Sequence, residues 1–146
     1  YIPFYKDELV VITPNTEKYQ VLHQNIEDIS WISGECLIMR EEGSGTRKEA
    51  GKQLRNAGIN LDKLKIIASI ENQETIKKSV KQGMGISIIS RLAAEEETKS
   101  GDLLTFPIPK ADQGRDINLV YNKNYQISKS AERFVKVVKE VYGIEE

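Results

Sequence analysis

Hydrophobic positions along the chain follow two rhythms. Short runs rich in β-branched and aromatic residues read as strands, and stretches with apolar side chains every third or fourth position read as helices. Residues 1–5 and 8–13 are β-rich runs, separated by the polar pair Lys6-Asp7 and closed by Pro14-Asn15. Residues 15–34 are polar, with Ile26, Ile29, Trp31 and Ile32 spaced for a short helix or turn packing on the body. A compact strand over 36–40 ends at Glu41-Glu42-Gly43-Ser44-Gly45. Ala50, Leu54 and Ala57 then fall at i, i+4 and i+7 of a helix that Gly58 is placed to stop in the left-handed conformation. Two caps compete for its start: Ser44, or Thr46 with Glu49 three residues on, the capping-box pattern.

The pattern continues with a strand over 64–70 and a helix capped by Asn72, carrying Ile76 and Val80 and stopped by Gly83 or Gly85. A strand over 86–89, a short acidic helix over 92–98 and a strand over 103–108 follow. Residues 117–121 alternate as a further strand, and a helix from Ser128 sets Ala131, Phe134, Val135, Val138, Val141 and Tyr142 on one face. Strands alternating with helices at this spacing predict an α/β chain with a doubly wound sheet. In such a sheet ligands bind at the C-terminal ends of the strands.

Composition narrows the function classes. The 146 residues are 39% hydrophobic and 29% charged, a balance that supports one folded domain with a real core. Lys plus Arg is 21 against 22 Asp plus Glu, a net charge of −1, with no dense basic block of the kind that binds nucleic acid. The longest apolar runs, such as Leu9-Val10-Val11-Ile12, are only a few residues, so no membrane-spanning helix and no membrane partner is expected. Single copies of Cys36 and His23 cannot build a zinc site, and no nucleophile–base pairing can be assembled around one imidazole. No cofactor, no metal and no enzymatic activity are therefore expected. Cys36, inside an apolar stretch, reads as a buried inert thiol and fits a reducing cytoplasm. Glu95-Glu96-Glu97, Glu41-Glu42 and the group Lys77, Lys78 and Lys81 read as solvated faces.

Two strand-to-helix turns carry candidate chemistry. In Glu42-Gly43-Ser44-Gly45-Thr46-Arg47 the glycines permit a sharp turn and close approach of a ligand, and the first helical N–H groups and the helix dipole favour an anion. Ser44 and Thr46 can add hydroxyl donors or merely cap the helix. In Ser69-Ile70-Glu71-Asn72-Gln73, Ser69, Glu71 and Asn72 are candidate contacts, with a simple cap at Asn72 as the plainer reading. Neither a Walker A loop nor a dinucleotide fingerprint fits: Gly43-x-Gly45 is followed by Lys48, and Gly83-x-Gly85 leads into a strand.

Beyond single motifs, Arg40-Glu41-Glu42-Gly43-Ser44-Gly45-Thr46-Arg47 and the run from Glu74 through Gln82-Gly83-Met84-Gly85-Ile86-Ser87-Ile88-Ile89-Ser90 resemble the effector-binding domain of LysR-type transcriptional regulators. The resemblance extends to Asp7-Glu8-Leu9-Val10-Val11-Ile12-Thr13-Pro14, Gly101-Asp102-Leu103-Leu104, Phe106-Pro107-Ile108 and Leu119-Val120-Tyr121-Asn122-Lys123. It implies a fold like type 2 periplasmic binding proteins, with two α/β subdomains joined by crossover strands and the effector between them. By that mapping residues 11–108 are a complete, Rossmann-like second subdomain, and 1–10 and 109–146 are parts of the first. The rest of the first subdomain and the DNA-binding helix-turn-helix would lie ahead of Tyr1, so that DNA is a partner only through that N-terminal domain. The family's second-subdomain effector contacts fall on Ser44, Gly45 and Thr46, and on Ser69, Glu71 and Asn72. A small anionic or polar metabolite is the implied effector, and a homodimer or higher homo-oligomer the implied assembly. A secreted solute-binding protein of the same fold is the alternative reading.

With a net charge of −1 and no recognition helix, the chain alone should give no electrophoretic shift of duplex DNA that survives competitor at physiological salt. A shift that persists would overturn that expectation.

Overall fold

The computed structural model describes residues 2–109 and 115–119, with positions 133, 134, 136, 137 and 141 of the tail. The chain divides into two units, residues 1–7 with 114–146 and residues 8–113. In the first, strand β1 (Ile2–Asp7) pairs antiparallel with β7 (Arg115–Leu119), Ile2 opposite Leu119 and Asp7 opposite Arg115. The register slips between Pro3 and Tyr5, next to a proline that has no N–H for a ladder. Lys6 and Asp7 remain inside β1, so the break expected at that pair falls at Glu8 instead. Of the helix expected from Ser128, Phe134 and Val141 are helical and exposed, while Ser128, Ala131, Val135, Val138 and Tyr142 lie outside the described residues, as do Val120 and Tyr121 of the expected strand.

The second unit is organised on β2 (Leu9–Pro14), every residue of which is buried. Successive side chains of a strand point to opposite faces, so a strand that is buried throughout needs cover on both. Leu9 and Val11 pack in one cluster with Ala50, Leu54, Ile88 and Phe106. Val10 and Ile12 pack in another with Ile76, Val80, Ile89 and Leu103. β2 lies between β5 (Ser87–Ser90) and β6 (Leu103–Pro107), antiparallel to both, with Val11 opposite Ile88 on one side and Phe106 on the other. β3 (Cys36–Met39) runs parallel to β4 (Lys65–Ser69).

The two ladders join at a parallel bridge between Leu37 and Ile86. The Ile38 amide donates to the Ile86 carbonyl at 2.8 Å, and the Ile86 amide donates to the Cys36 carbonyl at 2.9 Å. The layer therefore reads β4-β3-β5-β2-β6, a mixed sheet rather than a wholly parallel one. Helix α2 (Gly45–Asn56) returns the chain from β3 to β4 and buries Ala50 and Leu54 on the first cluster. Helix α3 (Gln73–Lys81) leads from β4 to β5 and buries Ile76 and Val80 on the second, so the two crossover helices cover opposite faces. Helix α1 (Glu17–Leu22) and two 3₁₀ turns occupy the polar segment, whose Ile29 and Ile32 are buried and Trp31 half-buried as the spacing predicts, whereas Ile26 is exposed. Gly58 and Gly83, with φ of 85° and 82°, follow α2 and α3 in the left-handed region. His23, half-buried, lies edge-on to Phe106 at 4.9 Å, with Nε2 2.9 Å from the Thr105 carbonyl. Cys36 is half-buried rather than sealed in the core.

One expected surface charge is inside. Lys77 on α3 is buried, and its Nζ donates to Glu97 Oε1 at 2.6 Å, Glu74 Oε1 at 2.9 Å and the Ala93 carbonyl at 2.9 Å. Glu97 belongs to the acidic helix α4 (Glu95–Ser100), so that helix is not wholly solvated either. The aliphatic stem of a lysine can fill a helix–sheet interface when its ammonium finds acceptors at the rim. Burial opposes the charge on Lys77, but the hydrogen bonds it donates to Glu97 and Glu74 and their charges outweigh it, leaving the pKa raised. Burial likewise pushes Glu97 up, and the hydrogen bond and charge of Lys77 with its own backbone N–H bring it below the usual glutamate value.

Lys77→Met should destabilise the chain by about 2–4 kcal/mol, because it leaves Glu97 half-buried without its cation. In urea unfolding, the wild-type contribution should be full at neutral pH. It should fade as pH drops through the depressed pKa of Glu97, and again as pH rises through the raised pKa of Lys77. The variant should lose both limbs; identical pH profiles would show that the pair contributes nothing.

Candidate functional site

Because β3 and β4 are parallel, their C-terminal ends lie at one edge of the sheet, and α2 and α3 both begin there. The Ile70 amide donates to the Met39 carbonyl at 2.8 Å, which carries the ladder to the last residue of β3. The two candidate turns are thus neighbours.

At the first turn, Ser44 is the N-cap of α2, buried, with extended backbone. Its Oγ accepts from the Arg47 amide at 3.3 Å, and its own amide donates to the Glu41 carbonyl at 2.9 Å, closing the loop. Ser44 thereby wins over the Thr46–Glu49 box, because the helix starts at Gly45 and places Thr46 inside its first turn. The amides of Gly45 and Thr46 have no acceptor among the described residues, as the first turn of a helix dictates. Gly45 is exposed and Thr46 half-buried. The turn does not itself require glycine: a Cβ added at Gly43 or Gly45 meets nothing within 4 Å, and neither has a left-handed φ. The expected conformational need for Gly45 is therefore corrected to a steric one, since only an approaching ligand would feel the added side chain.

At the second turn, Asn72 caps α3, its Oδ1 accepting from the Glu74 amide at 2.8 Å and the Thr75 amide at 3.2 Å. Two of the donors at that helix start are thus consumed, and Glu74 places a carboxylate in its first turn. The first turn of α2 holds no carboxylate. An anion is consequently better received at α2 than at α3. Glu71 is exposed and makes no hydrogen bond or ion pair among the described residues. Ser69, also exposed, is brought to the first turn by Arg47, whose Nη1 donates to Ser69 Oγ and to the Arg40 carbonyl, both at 3.0 Å. Arg47 is the residue that motif reading passed over. Its signal was present in the sequence, since a cation in the first turn opposes the helix dipole and needs some other reason to be there. Arg40 itself is neutralised by Glu41, with Nη2 to Oε1 at 2.8 Å.

Among the described residues, no group of His, Cys, Asp and Glu is arranged to hold a metal, and no helix is long and apolar enough to cross a membrane. The start of α2 offers N–H donors that can hold oxygen acceptors, while Glu71 at the second turn offers an acceptor.

Residues 1–143 match the family model of the LysR substrate binding domain, and the chain belongs to that family. It is 29% identical over 133 residues to the HTH-type transcriptional regulator YeiE of Escherichia coli (strain K12), a match covering 91% of this chain and 43% of YeiE. Two solved structures superpose with a TM-score of 0.74. One is the effector-binding domain of QuiR in complex with shikimate, 21% identical, covering 97% of this chain and 64% of that one. The other is the regulatory domain of Synechocystis PCC6803 CcmR in complex with 2-PG, 26% identical, covering 96% and 65%. The fold is that of LysR effector-binding domains, the periplasmic-binding-protein-like class. The chain spans less than half the length of YeiE and just under two thirds of each effector domain.

The two caps carry different loads. Ser44→Ala and Asn72→Ala should each cost about 1 kcal/mol of unfolding free energy in urea, the usual price of an N-cap. Asn72→Ala should be the larger, because its side chain serves two amides where Ser44 serves one. A reversed order would mean that the caps are not the main role of these side chains.

Proposed function

We propose that the chain is the effector-sensing domain of a LysR-type transcriptional regulator, and that Ser44, Gly45 and Thr46 with Ser69, Glu71 and Asn72 are its contacts to the effector. The observation that carries this reading is the pair of unengaged amides at Gly45 and Thr46, set beside Ser69 across the parallel strand pair, in a chain of this family. The effector is a small anionic or polar metabolite. Ser44 is half spoken for as a cap, Asn72 keeps only its amide NH₂ for a ligand, and Glu71 suits a ligand hydroxyl or cation.

Residues 11–108 correspond to the family's second subdomain, and 1–10 with 109–146 to parts of the first. The effector acts by binding one conformation of the regulator more tightly than another, with no bond made or broken. The protein is accordingly a cytoplasmic binding protein rather than an enzyme, works as a homodimer or larger homo-oligomer, and meets DNA through the helix-turn-helix of the full-length regulator.

A thermal-shift screen of small carboxylates, phosphates and polyols against the 146-residue chain should find a ligand that raises Tm, since a ligand of the folded state stabilises by mass action. Gly45→Val should leave the Tm of the free chain within a few degrees, because its side chain enters open space, yet abolish the ligand's shift. A shift of undiminished size in Gly45→Val would place the ligand elsewhere and reduce the turn to a helix cap.

A further inference from the structure

Extending the homo-oligomer of that reading to a named surface, we propose that the α2 side of the larger unit is a two-fold interface between copies of this chain. The basic groove along α2 of each copy receives the acidic corner of the other, at Glu27 and Asp28. The cations set this surface apart. On α3 and α4, Lys77, Lys81 and Lys99 are each paired with a carboxylate. On α2, Lys48, Lys52 and Arg55 fall at i, i+4 and i+7 and form one stripe along the helix. All three are exposed, and none has an ion pair among the described residues. They line a groove of about 270 Å³ between α2 and the 3₁₀ turn Leu61–Lys63, with Asp62 the single carboxylate among its described lining residues. Like charges left unpaired on one stripe repel one another, and a surface of opposite sign relieves that repulsion.

A glycine in the middle of α2 keeps the groove open. Glycine is unfavourable inside a helix, yet nothing in the fold requires it at Gly51: an added Cβ would stand 3.5 Å from Leu61 Cδ2, an ordinary contact. Gly51 and Leu61 both line the groove, so a side chain there would narrow it.

The complementary charges lie just across the turn that ends α2. Glu27 and Asp28 line a second hollow, of about 340 Å³, with Ala57, Gly58 and Ile59. Both carboxylates are exposed and have no ion pair among the described residues. Hydrogen bonds from the Ser30 amide and hydroxyl hold the Asp28 carboxyl below the usual aspartate range and keep it charged. Arg55 and Asn60 of the basic groove flank the 57–59 segment of the acidic one, so the two hollows adjoin. They also share one side of the sheet, since Ile29, next to Asp28, packs in the same cluster as Ala50 and Leu54 of α2.

That arrangement selects the occupant. A two-fold contact needs both complementary patches on one side of the molecule, flanking a point through which the axis can pass. The turn at 57–59 is such a point. A foreign acidic chain would answer the groove and leave Glu27 and Asp28 unanswered, whereas a second copy answers both at once. Half-buried Ile59 and Leu61, one in each hollow, add apolar surface inside the charged rims.

Sedimentation velocity of the 146-residue chain tests this face. In about 0.1 M salt the chain should show an association step whose Kd rises about tenfold in about 1 M salt, as the screening length shortens from about 10 Å to about 3 Å. Arg55→Glu and Glu27→Lys, at exposed positions that leave the urea midpoint unchanged, should each weaken the step about tenfold. An equimolar mixture of the two variants should recover the wild-type affinity, because every contact across the axis again joins opposite charges. Lys52→Glu repeats the reversal at a second place on the stripe. If association persists but ignores these reversals, the homo-oligomer is built on another face and this one falls. Association lost in both variants and not recovered by mixing removes the pairing of the two hollows from the account. A wild-type chain that stays monomeric overturns the face, and if it then binds a poly-glutamate peptide that Arg55→Glu releases, the groove belongs to a foreign acidic partner.

Discussion

The approach of two backbones at Gly85 underlies the rest of the larger unit. A Cβ at Gly85 would lie 2.8 Å from the Cys36 carbonyl oxygen, closer than real side chains come. Its absence lets Ile86 exchange hydrogen bonds with Cys36 and Ile38, and that exchange joins the β3–β4 pair to the β5-β2-β6 ladder. Without it the strands that carry the candidate site would be a two-stranded ribbon, a form of marginal stability in water. With it, Leu37 and Met39 belong to the core of one face and Ile38 to that of the other. The carboxyl ends of β3 and β4 are thereby set on a rigid floor, and the two helix starts inherit fixed positions.

The two starts look alike in the chain and differ in electrostatics. At α3, the Asn72 carbonyl oxygen and the first-turn carboxylate of Glu74 already answer the helix dipole. At α2, Ser44 answers one amide, no acidic side chain follows, and a guanidinium takes the place where a carboxylate would usually sit. The α2 start is left with unspent positive potential, and Arg47 adds to it while fastening the end of β4 to that of β3. A sensing domain needs this combination: donors that folding leaves unsatisfied and a framework that does not collapse to satisfy them.

The buried Lys77 performs a different task on the opposite face. Its three acceptors come from α3 itself, from the 3₁₀ turn before α4 and from α4, so one ammonium ties the acidic helix to the body. This explains why a helix as rich in glutamate as α4 packs beside the sheet instead of floating free of it.

Much of this was determined by the sequence itself. Period-two and period-3.6 patterns placed most of the described strands, α2 and α3 to within a residue or two but missed α1, the left-handed glycines marked the ends of α2 and α3, and the turns at Ser44 and Asn72 stood out because capping residues and glycines act locally. What local pattern cannot carry is pairing between distant segments. That β2 runs antiparallel between β5 and β6, that Gly85 serves a close contact rather than a helix stop, and that Lys77 turns inward to Glu97 were decided only in the fold. The same holds for the site: each turn was legible alone, but Arg47 reaches Ser69 across twenty-two positions, and a contact of that reach exists only once the sheet has set both strand ends side by side.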